Sequence, residues 1–387
     1  MNFDITIIGG SFAGMTAALC LSNASPDLKI AIVEKQNILD QDRKRDGRAY
    51  AISAASLKPF KEIGIYDRVQ AEAGIISDIK ITDYKSPLFL DFIGREVGGN
   101  MGQIIENYHI HNALRDQILQ KKNITVFAPN FYEKIEFADD SLGASVTINN
   151  EITLNSKILL ACDGRFSELR KFFNIHTVVK KYGQTAIVFN IRHQNSHQNI
   201  AHEKFLPGGP LAILPLKDLN QSSIVWIAPD QTAQAILKLD DENFSAQLLK
   251  KMEHELGEIE IISEKFSYPL IAIEAEKFYH QKMLLIGDAA CGVHPIAGQG
   301  FNLAMSGIKI LCDLIKSGAE ISDQSFVDSY NKKVQTAARK MLIATDVLNS
   351  LFETKSLSIK IARDLGLAAV NKIPSLKKFF IKNAGGF

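Results

Sequence analysis

In "IIGGSFAG" (7–14) two glycines, Gly9 and Gly14, stand five residues apart, and an acid, Glu34, follows 20 residues after the second. A glycine at the first place lets a chain bend tightly after a strand. One at the third lets the next helix pack close to that strand. The N–H groups at the helix start, here those of Ser11, Phe12, Ala13 and Gly14, can then receive a pyrophosphate. Ser11 holds the middle place, where the fingerprint has glycine; it costs some closeness and adds a hydroxyl able to bond a phosphate oxygen. A carboxylate at the spacing of Glu34, with Lys35 beside it, suits the hydroxyls of an adenosine ribose. These residues point to a dinucleotide without separating FAD from NAD, and the acid argues against NADP in this pocket. A glycine-rich turn of any α/β protein, with Glu34 a surface charge, is the competing reading.

Such a turn needs a strand before it and a helix after it. "DITIIGG" is a short β-rich run, "AGMTAALCLS" has good helix formers with helical periodicity, and "LKIAIVEK" has strand length, which together make a βαβ unit. From Lys180 to Pro269 the character changes: "TAIVFNIRH", "PLAILPL", "SSIVWIAP" and "EKFSYPL" are β-rich segments between polar turns, as in an antiparallel sheet. "KMLLIGDAA" then supplies another buried strand, and the chain reads as mostly helical to its end. The expectation is an α/β fold with a Rossmann-like nucleotide domain from 1–175 and 275–345. An inserted antiparallel substrate domain covers 176–274, with residues near 75–100 open to assignment there, and a helical region covers 346–387.

Composition narrows the class. The chain has 387 residues, 46% hydrophobic and 22% charged, with a net charge of +1, which fits a soluble globular protein and gives no electrostatic case for nucleic acid. Cys20, Cys162, Cys291 and Cys312 form no C-x-x-C pair, so neither a zinc site nor a dithiol redox centre is expected, and no metal ligands are assigned. The first apolar run begins too early for a signal peptide, and no apolar window is long enough to span a membrane. The expected location is the cytoplasm.

Two later stretches carry more specific information. "LLACDGRFSELRK" (159–171) and "LLIGDAACGVHPIAGQGFNLAMSG" (284–307) resemble the two signatures of FAD-dependent aromatic hydroxylases, the p-hydroxybenzoate hydroxylase superfamily. "DGRAYAIS", "GQIIEN", "FLPGGPLAILPL" and the C-terminal "ATDVLNSLF…RDLGLAAVNKIPSLKKFF" resemble the ubiquinone-biosynthesis ring hydroxylases, so the likeness covers nearly the whole chain. It implies FAD as cofactor, with NADH or NADPH as a transient electron donor. Dioxygen would react through a flavin 4a-hydroperoxide, and the substrate would be a lipophilic, electron-rich phenol.

The resemblance also assigns residues. Asp163 and Gly164 match the Asp-Gly motif beside the flavin and nicotinamide paths. Gly287 and Asp288 match the Gly-Asp motif, whose acid accepts from ribityl hydroxyls. Pro295, Gly298, Gln299, Gly300, Phe301 and Asn302 match the loop and helix start that face the flavin ring, where N–H groups would stabilise negative charge on the reduced cofactor. Arg48 matches an arginine at the flavin region, and Gln103 a residue near the adenosine–ribityl part. Arg165 and Arg170 are open between these roles and solvated charges, His294 is open between a titrating and a structural role, and Glu106-Asn107 reads as a helix cap. Three positions depart from the family: Ser11, Cys291 where histidine is common, and Gly307 where aspartate is common. No general base for the phenol can be read from the sequence.

Rivals are separated by single features. Trp226 is the only tryptophan, against a W-x-W-x-I-P halogenase, and the cysteine pair of a disulfide reductase is missing. A non-catalytic flavin-binding subunit of a quinone-biosynthesis assembly remains the alternative from another class. Residues 353–387 hold Lys355, Lys360, Arg363, Lys372, Lys377, Lys378 and Lys382 against Glu353 and Asp364, beside Phe379, Phe380 and Ile381. That composition suits peripheral contact with the inner face of an anionic membrane, with a solvated basic end as the equal alternative.

Overall fold

The computed structural model describes residues 1–39, 46–83, 89–97, 99–137, 143–149, 151–294 and 299–353. The fold is α/β. Among the described residues the strands form three sheets of eight, nine and three strands.

The first sheet has a parallel centre. Met283–Leu285, Ile152–Ala161, Asn2–Ile8, Ile30–Val33 and Ile124–Phe127 lie side by side in that order. Ile5–Ile8 and Ile30–Val33 are runs of buried residues without alternation, as expected of strands covered on both faces. The helix Phe12–Ala24 is buried continuously from Gly14 to Ser22 because it is enclosed by the sheet and by the helices Asn107–Leu119 and Gln299–Lys316. From Asn2–Ile8 the chain moves first to Ile30–Val33 on one side and later to Ile152–Ala161 on the other. The strand order therefore reverses at the C-terminal ends of Asn2–Ile8 and Ile152–Ala161, the place where open α/β sheets bind ligands.

The second sheet runs Cys291–Gly292, Phe266–Ala275, Thr177–His193, Gln221–Pro229, Gly209–Pro215, Ile200–Leu206, Asp78–Asp83, Phe89–Ile93, with Ile259–Ile261 also on Thr177–His193. Every pairing is antiparallel except Ile200–Leu206 with Asp78–Asp83. One face is closed by the helices Asp230–Leu237 and Asp241–Met252, which bury Ile187, Phe189, Trp226, Phe244 and Leu248. The other face looks toward the small third sheet of Ala49–Ser53, Gly102–Glu106 and Gly74–Ile76. Two strands from near residues 75–100 thus enter the antiparallel sheet.

The boundary expected at 345/346 falls inside one helix, Gln324–Glu353. The helix runs through 345 and 346 without interruption. This helix is tied to the first sheet by the Tyr330 hydroxyl donating to the Leu285 carbonyl at 3.0 Å. It is tied to the second by Arg339 on Glu274 at 2.7 Å and by Asp346 on Lys180 at 2.9 Å. Residues 354–387, including the basic C-terminal stretch, lie outside the described residues.

Candidate active site

The first glycine turn sits at the strand reversal. Gly9 has φ +104°, and a Cβ there would lie 2.5 Å from the Cys162 carbonyl oxygen of the neighbouring strand. A Cβ on Gly14 would overlap the carbonyl oxygen of Gly9 itself. Both positions bring backbone against backbone, which only glycine allows. Ser11 is the helix N-cap in extended conformation, exposed, and its side chain makes no cap bond. The first helical hydrogen bond is from Met15 N–H to the Ser11 carbonyl at 3.0 Å, so the N–H groups of Phe12, Ala13 and Gly14 face the space before the helix. Glu34 Oε2 accepts from Gly10 N–H at 2.6 Å and Oε1 from Gln36 N–H at 2.9 Å. The acid therefore shapes the turn as well as standing beside it. Gly10, which the sequence reading passed over, is held so close that a Cβ would lie 2.7 Å from the Glu34 Cβ. Lys35 is exposed.

Asp163 follows the next strand. Its Oδ2 accepts from Leu169 N–H at 3.1 Å, and its buried Oδ1 has no hydrogen-bond partner. Arg170 is buried; it donates to the carbonyls of Ala289 and Arg165, each at 2.8 Å, and so joins the Asp163 turn to the Asp288 turn. Arg165 pairs with Asp288 Oδ2 at 3.1 Å. Neither arginine is a solvated charge. Gly287, at φ +62°, lies between Ala13 and Ala304, where a Cβ would touch both methyls.

The helix Gln299–Lys316 starts beside the helix Phe12–Ala24. Phe12 and Phe301 have ring centroids 4.1 Å apart, with Tyr50 4.9 Å and Phe60 6.1 Å from Phe301. Phe301 is 7% exposed, so this position offers a ligand its backbone rather than its ring. Asn302 binds back onto the strand Ala49–Ser53, accepting from Ser53 N–H at 3.2 Å and donating to the Ala51 carbonyl at 3.3 Å. In contrast to Gly9 and Gly14, a Cβ on Gly164 or Gly300 would meet no atom within 4 Å. Those two glycines leave room. Pro295 and Gly298 lie outside the described residues, as does the side chain of Gln299.

Gln103 is buried on the strand Gly102–Glu106, opposite Ile52, and its Oε1 has no partner. A buried oxygen without a donor costs about 1–3 kcal/mol. The orphaned oxygens of Gln103 and Asp163, the open backbone at Gly164 and Gly300, and two helix starts side by side form a cradle of acceptors and N–H donors. These residues fit a flavin dinucleotide. Arg48 is held by Asp46, with Nε at 3.0 Å, which keeps its guanidinium above the usual range; it also lies over the Phe266 ring at 5.2 Å. Tyr268 is 37% exposed, yet burial pushes its phenol up, while Arg165 and Arg48 pull it down and Asp288 pushes it further up. Tyr268 thus lies within electrostatic reach of Arg48, Arg165 and Asp288.

Other expectations change. The Glu106 side chain does not cap the helix Asn107–Leu119; its carboxylate accepts from Asn190 Nδ2 at 2.8 Å, joining the third sheet to the second. His294 is fully buried against Tyr182 and Gln184, and burial pushes it down to about 4, so it is neutral near pH 7. Burial pushes the Cys291 thiol up to about 12, leaving it unreactive. Gly307 faces Val334 and the Tyr330 hydroxyl, where a Cβ would make ordinary contacts at 3.5 and 3.8 Å. Among the described residues no group of His, Cys, Asp or Glu could hold a metal ion, and no helix is long and apolar enough to cross a membrane.

A family profile described as "FAD binding domain" matches residues 2–345. The ubiquinone hydroxylase UbiL of Rhodospirillum rubrum is 32% identical over 387 residues, covering 99% of this chain and 89% of the relative. The ubiquinone hydroxylase UbiM of Neisseria meningitidis is 28% identical over 397 residues, covering 100% and 85%. The solved structure of p-nitrophenol 4-monooxygenase PnpA from Pseudomonas putida matches with a TM-score of 0.80 at 13% identity, covering 99% of this chain and 97% of that one, a likeness of fold. A family match of that extent makes the chain a member of the FAD-binding-domain family, and its relatives make it an FAD-dependent aromatic monooxygenase.

Proposed function

We propose that the chain hydroxylates a polyprenylated phenol on the route to ubiquinone, using NADH or NADPH and dioxygen. The observation that carries this reading is the end-to-end similarity to ubiquinone hydroxylases, 99% of this chain against 89% of UbiL. Bound FAD supplies the electron and oxygen chemistry. The chain's own residues hold and shield it. The Gly9–Gly14 turn and helix start receive the pyrophosphate, Glu34 the ribose and Asp288 the ribityl hydroxyls. Gln103 and Asp163 offer acceptors that otherwise have no donor. Arg165 orients Asp288, and Arg170 locks the two acid-bearing turns together. A lipophilic ring would enter beside Tyr268 and Arg48, under the inner face of the antiparallel sheet, where Ala212, Val188 and Val225 make an apolar wall that keeps water away. The nicotinamide nucleotide binds transiently on the same face, and the basic C-terminal stretch meets the membrane in which a prenylated substrate is dissolved.

Profiling of quinone intermediates in a cell lacking this protein tests the reading. A phenol one hydroxylation short of its product should accumulate and disappear on complementation. Unchanged intermediates would overturn it. Purified protein should oxidise NADH faster when a prenylated phenol is added; a non-catalytic subunit would bind FAD and show no such stimulation.

A further inference from the structure

The helix Gln324–Glu353 turns one side inward and leaves the other to solvent. Phe326, Val327, Tyr330, Val334, Ala338 and Thr345 are buried, and at about 100° per residue they fall on one side. The opposite side presents Lys332, Lys333, Arg339, Lys340, Ile343 and Val347, all exposed. The two aliphatic side chains are far out of the core: Ile343 is 65% exposed and Val347 59%. From Ser329 to Ser350 the one acid is Asp346, against four Lys and Arg residues.

The second sheet adds to this side. Val178 is 71% exposed, stands directly opposite Glu274, and shares its face with Lys180 two residues on. Arg339 binds Glu274 at 2.7 Å and Lys180 binds Asp346 at 2.9 Å. The two ion pairs bracket Val178 on the strand and Ile343 on the helix, since Ile343 lies between Arg339 and Asp346. Val178, Ile343 and Val347 therefore belong to one apolar patch. The same pairs neutralise its acids. Lys332, Lys333 and Lys340 make no ion pair among the described residues, and the exposed Glu276 at the margin is offset by Lys277, so the excess charge is positive.

The composition of the patch selects its occupant. Surfaces that bind proteins are rich in aromatic residues, methionine and arginine and poor in lysine. Here three branched aliphatics without an aromatic are set among lysines. Lysine stems lie along an apolar surface while their ammonium groups reach outward, the arrangement that suits phosphate headgroups above an acyl layer. A positive rim is complementary to an anionic bilayer. The sequence runs on from this helix into residues 353–387, whose seven Lys and Arg against two acids carry the same sign.

We propose that the outward side of Gln324–Glu353, together with Val178, is the face on which the protein rests against an anionic lipid bilayer. The proposal deepens the reading above, in which the substrate carries a polyprenyl tail, and rests on it for its purpose. Direct contacts join this face to the flavin side. Asp346 accepts from the Tyr182 hydroxyl at 2.5 Å, and the Tyr182 ring stands edge-on to His294 with centroids 4.6 Å apart. His294 precedes by five residues Gln299, where the helix assigned to the flavin ring begins. Ile343 and Val347 enter the acyl boundary, and Lys332, Lys333 and Lys340 meet the phosphates.

The test is flotation of the FAD-loaded full chain with vesicles of phosphatidylcholine alone or mixed with phosphatidylglycerol. Wild type should float with the mixed vesicles and not with phosphatidylcholine alone. Lys333→Gln with Lys340→Gln should weaken binding about 25-fold at low salt, and high salt should erase the difference. Ile343→Gln with Val347→Gln should weaken it about 10-fold at either salt. Lys238→Gln with Lys250→Gln, exposed lysines on the helices that close the far face of the second sheet, should change nothing. Melting temperature, flavin content and turnover of a water-soluble short-chain phenol should stay at wild-type values in every variant. Turnover of a long-chain phenol dissolved in the vesicles should fall in step with binding. Equal flotation of wild type and both patch variants, or an equal loss in the Lys238/Lys250 control, overturns the proposal. So does a patch variant that changes the mass of the particle in solution while still floating, which would make the face a contact between copies. A wild type that floats through this face yet gives no product from either phenol overturns the hydroxylase reading and leaves the membrane face standing.

Discussion

The crevice at the end of the parallel sheet and the inner face of the antiparallel sheet are built on opposite principles. In the crevice the working parts are backbone: N–H groups at two helix starts, carbonyls gripped by Arg170, and glycines whose missing side chains let strands and helices touch. On the antiparallel wall the working parts are side chains, mostly small and apolar, aligned by register across neighbouring antiparallel strands. The first surface can recognise a cofactor that is always the same. The second can be re-lined residue by residue without touching the cofactor, which is where substrate choice belongs.

That contrast can be broken at several points, beginning with the most damaging. Gly14→Ala puts a methyl group into the Gly9 carbonyl and should cost about 3 kcal/mol or more, with loss of bound flavin. Gly164→Ala, with open space around it but φ +82°, should cost only about 1 kcal/mol. Denaturant melts and flavin absorbance of the two variants give the comparison directly; equal losses would mean the crevice is not held by backbone contact. Arg170→Leu should cost about 2–4 kcal/mol, since it strands two buried carbonyls, and should also release flavin. Asp288→Ala should weaken FAD by roughly 1.5–3 kcal/mol, about 10- to 150-fold, while leaving the fold intact. Undiminished affinity on titration would remove Asp288 from the cofactor site.

Acid titration sharpens the comparison from the other side. Folded His294 stays unprotonated down to about pH 4, whereas an unfolded chain takes that proton near 6.5, so its contribution to stability is lost as pH falls from 6.5 to 4. Folded Glu203 holds its proton up to about pH 7, whereas an unfolded chain releases it near 4.5, so its contribution is lost as pH rises from 4.5 to 7. Each is worth on the order of 1–3 kcal/mol, and in the wild type they oppose one another. Melting temperatures should therefore fall with rising pH in His294→Gln and rise with pH in Glu203→Gln across this window. The smallest effect belongs to Ser11→Gly, which should change stability and flavin affinity by less than about 0.5 kcal/mol because the hydroxyl caps nothing. A clear loss of flavin there would make the hydroxyl a phosphate ligand.

What could be read from the sequence follows the same division. Gly9, Gly14 and Glu34 are contiguous in a βαβ unit, so their spacing alone carries the geometry. Asp163, Asp288 and the helix start near Phe301 were legible through motifs that resemble a family. Arg165 and Arg170 were visible yet undecided, because a partner 119 residues away at Ala289 leaves no local pattern. Glu106 looked like a cap because helix starts favour acids, but the buried amide of Asn190 outcompetes the local bond. The inward face of Glu203 leaves no local pattern, since only the pairing with Ile81 and Ala212 sets it. The boundary expected at 345/346 lies within the helix Gln324–Glu353, whose continuity across that position no local pattern marks.

The helix Gln324–Glu353 has a consequence for how this molecule comes apart. Thirty residues long, about 45 Å, it is fastened in turn to the Leu285 carbonyl, to Glu274 and to Lys180, so it crosses from one sheet to the other as a single rod. The rod's buried residues Phe326, Val327, Tyr330, Val334 and Ala338 close the core of the first sheet, whereas part-exposed ion pairs fasten it to the second. Undocking the rod should then speed amide exchange in Asn2–Ile8 more than in Gln221–Pro229, and added salt, which screens the ion pairs, should loosen its hold on the second sheet first.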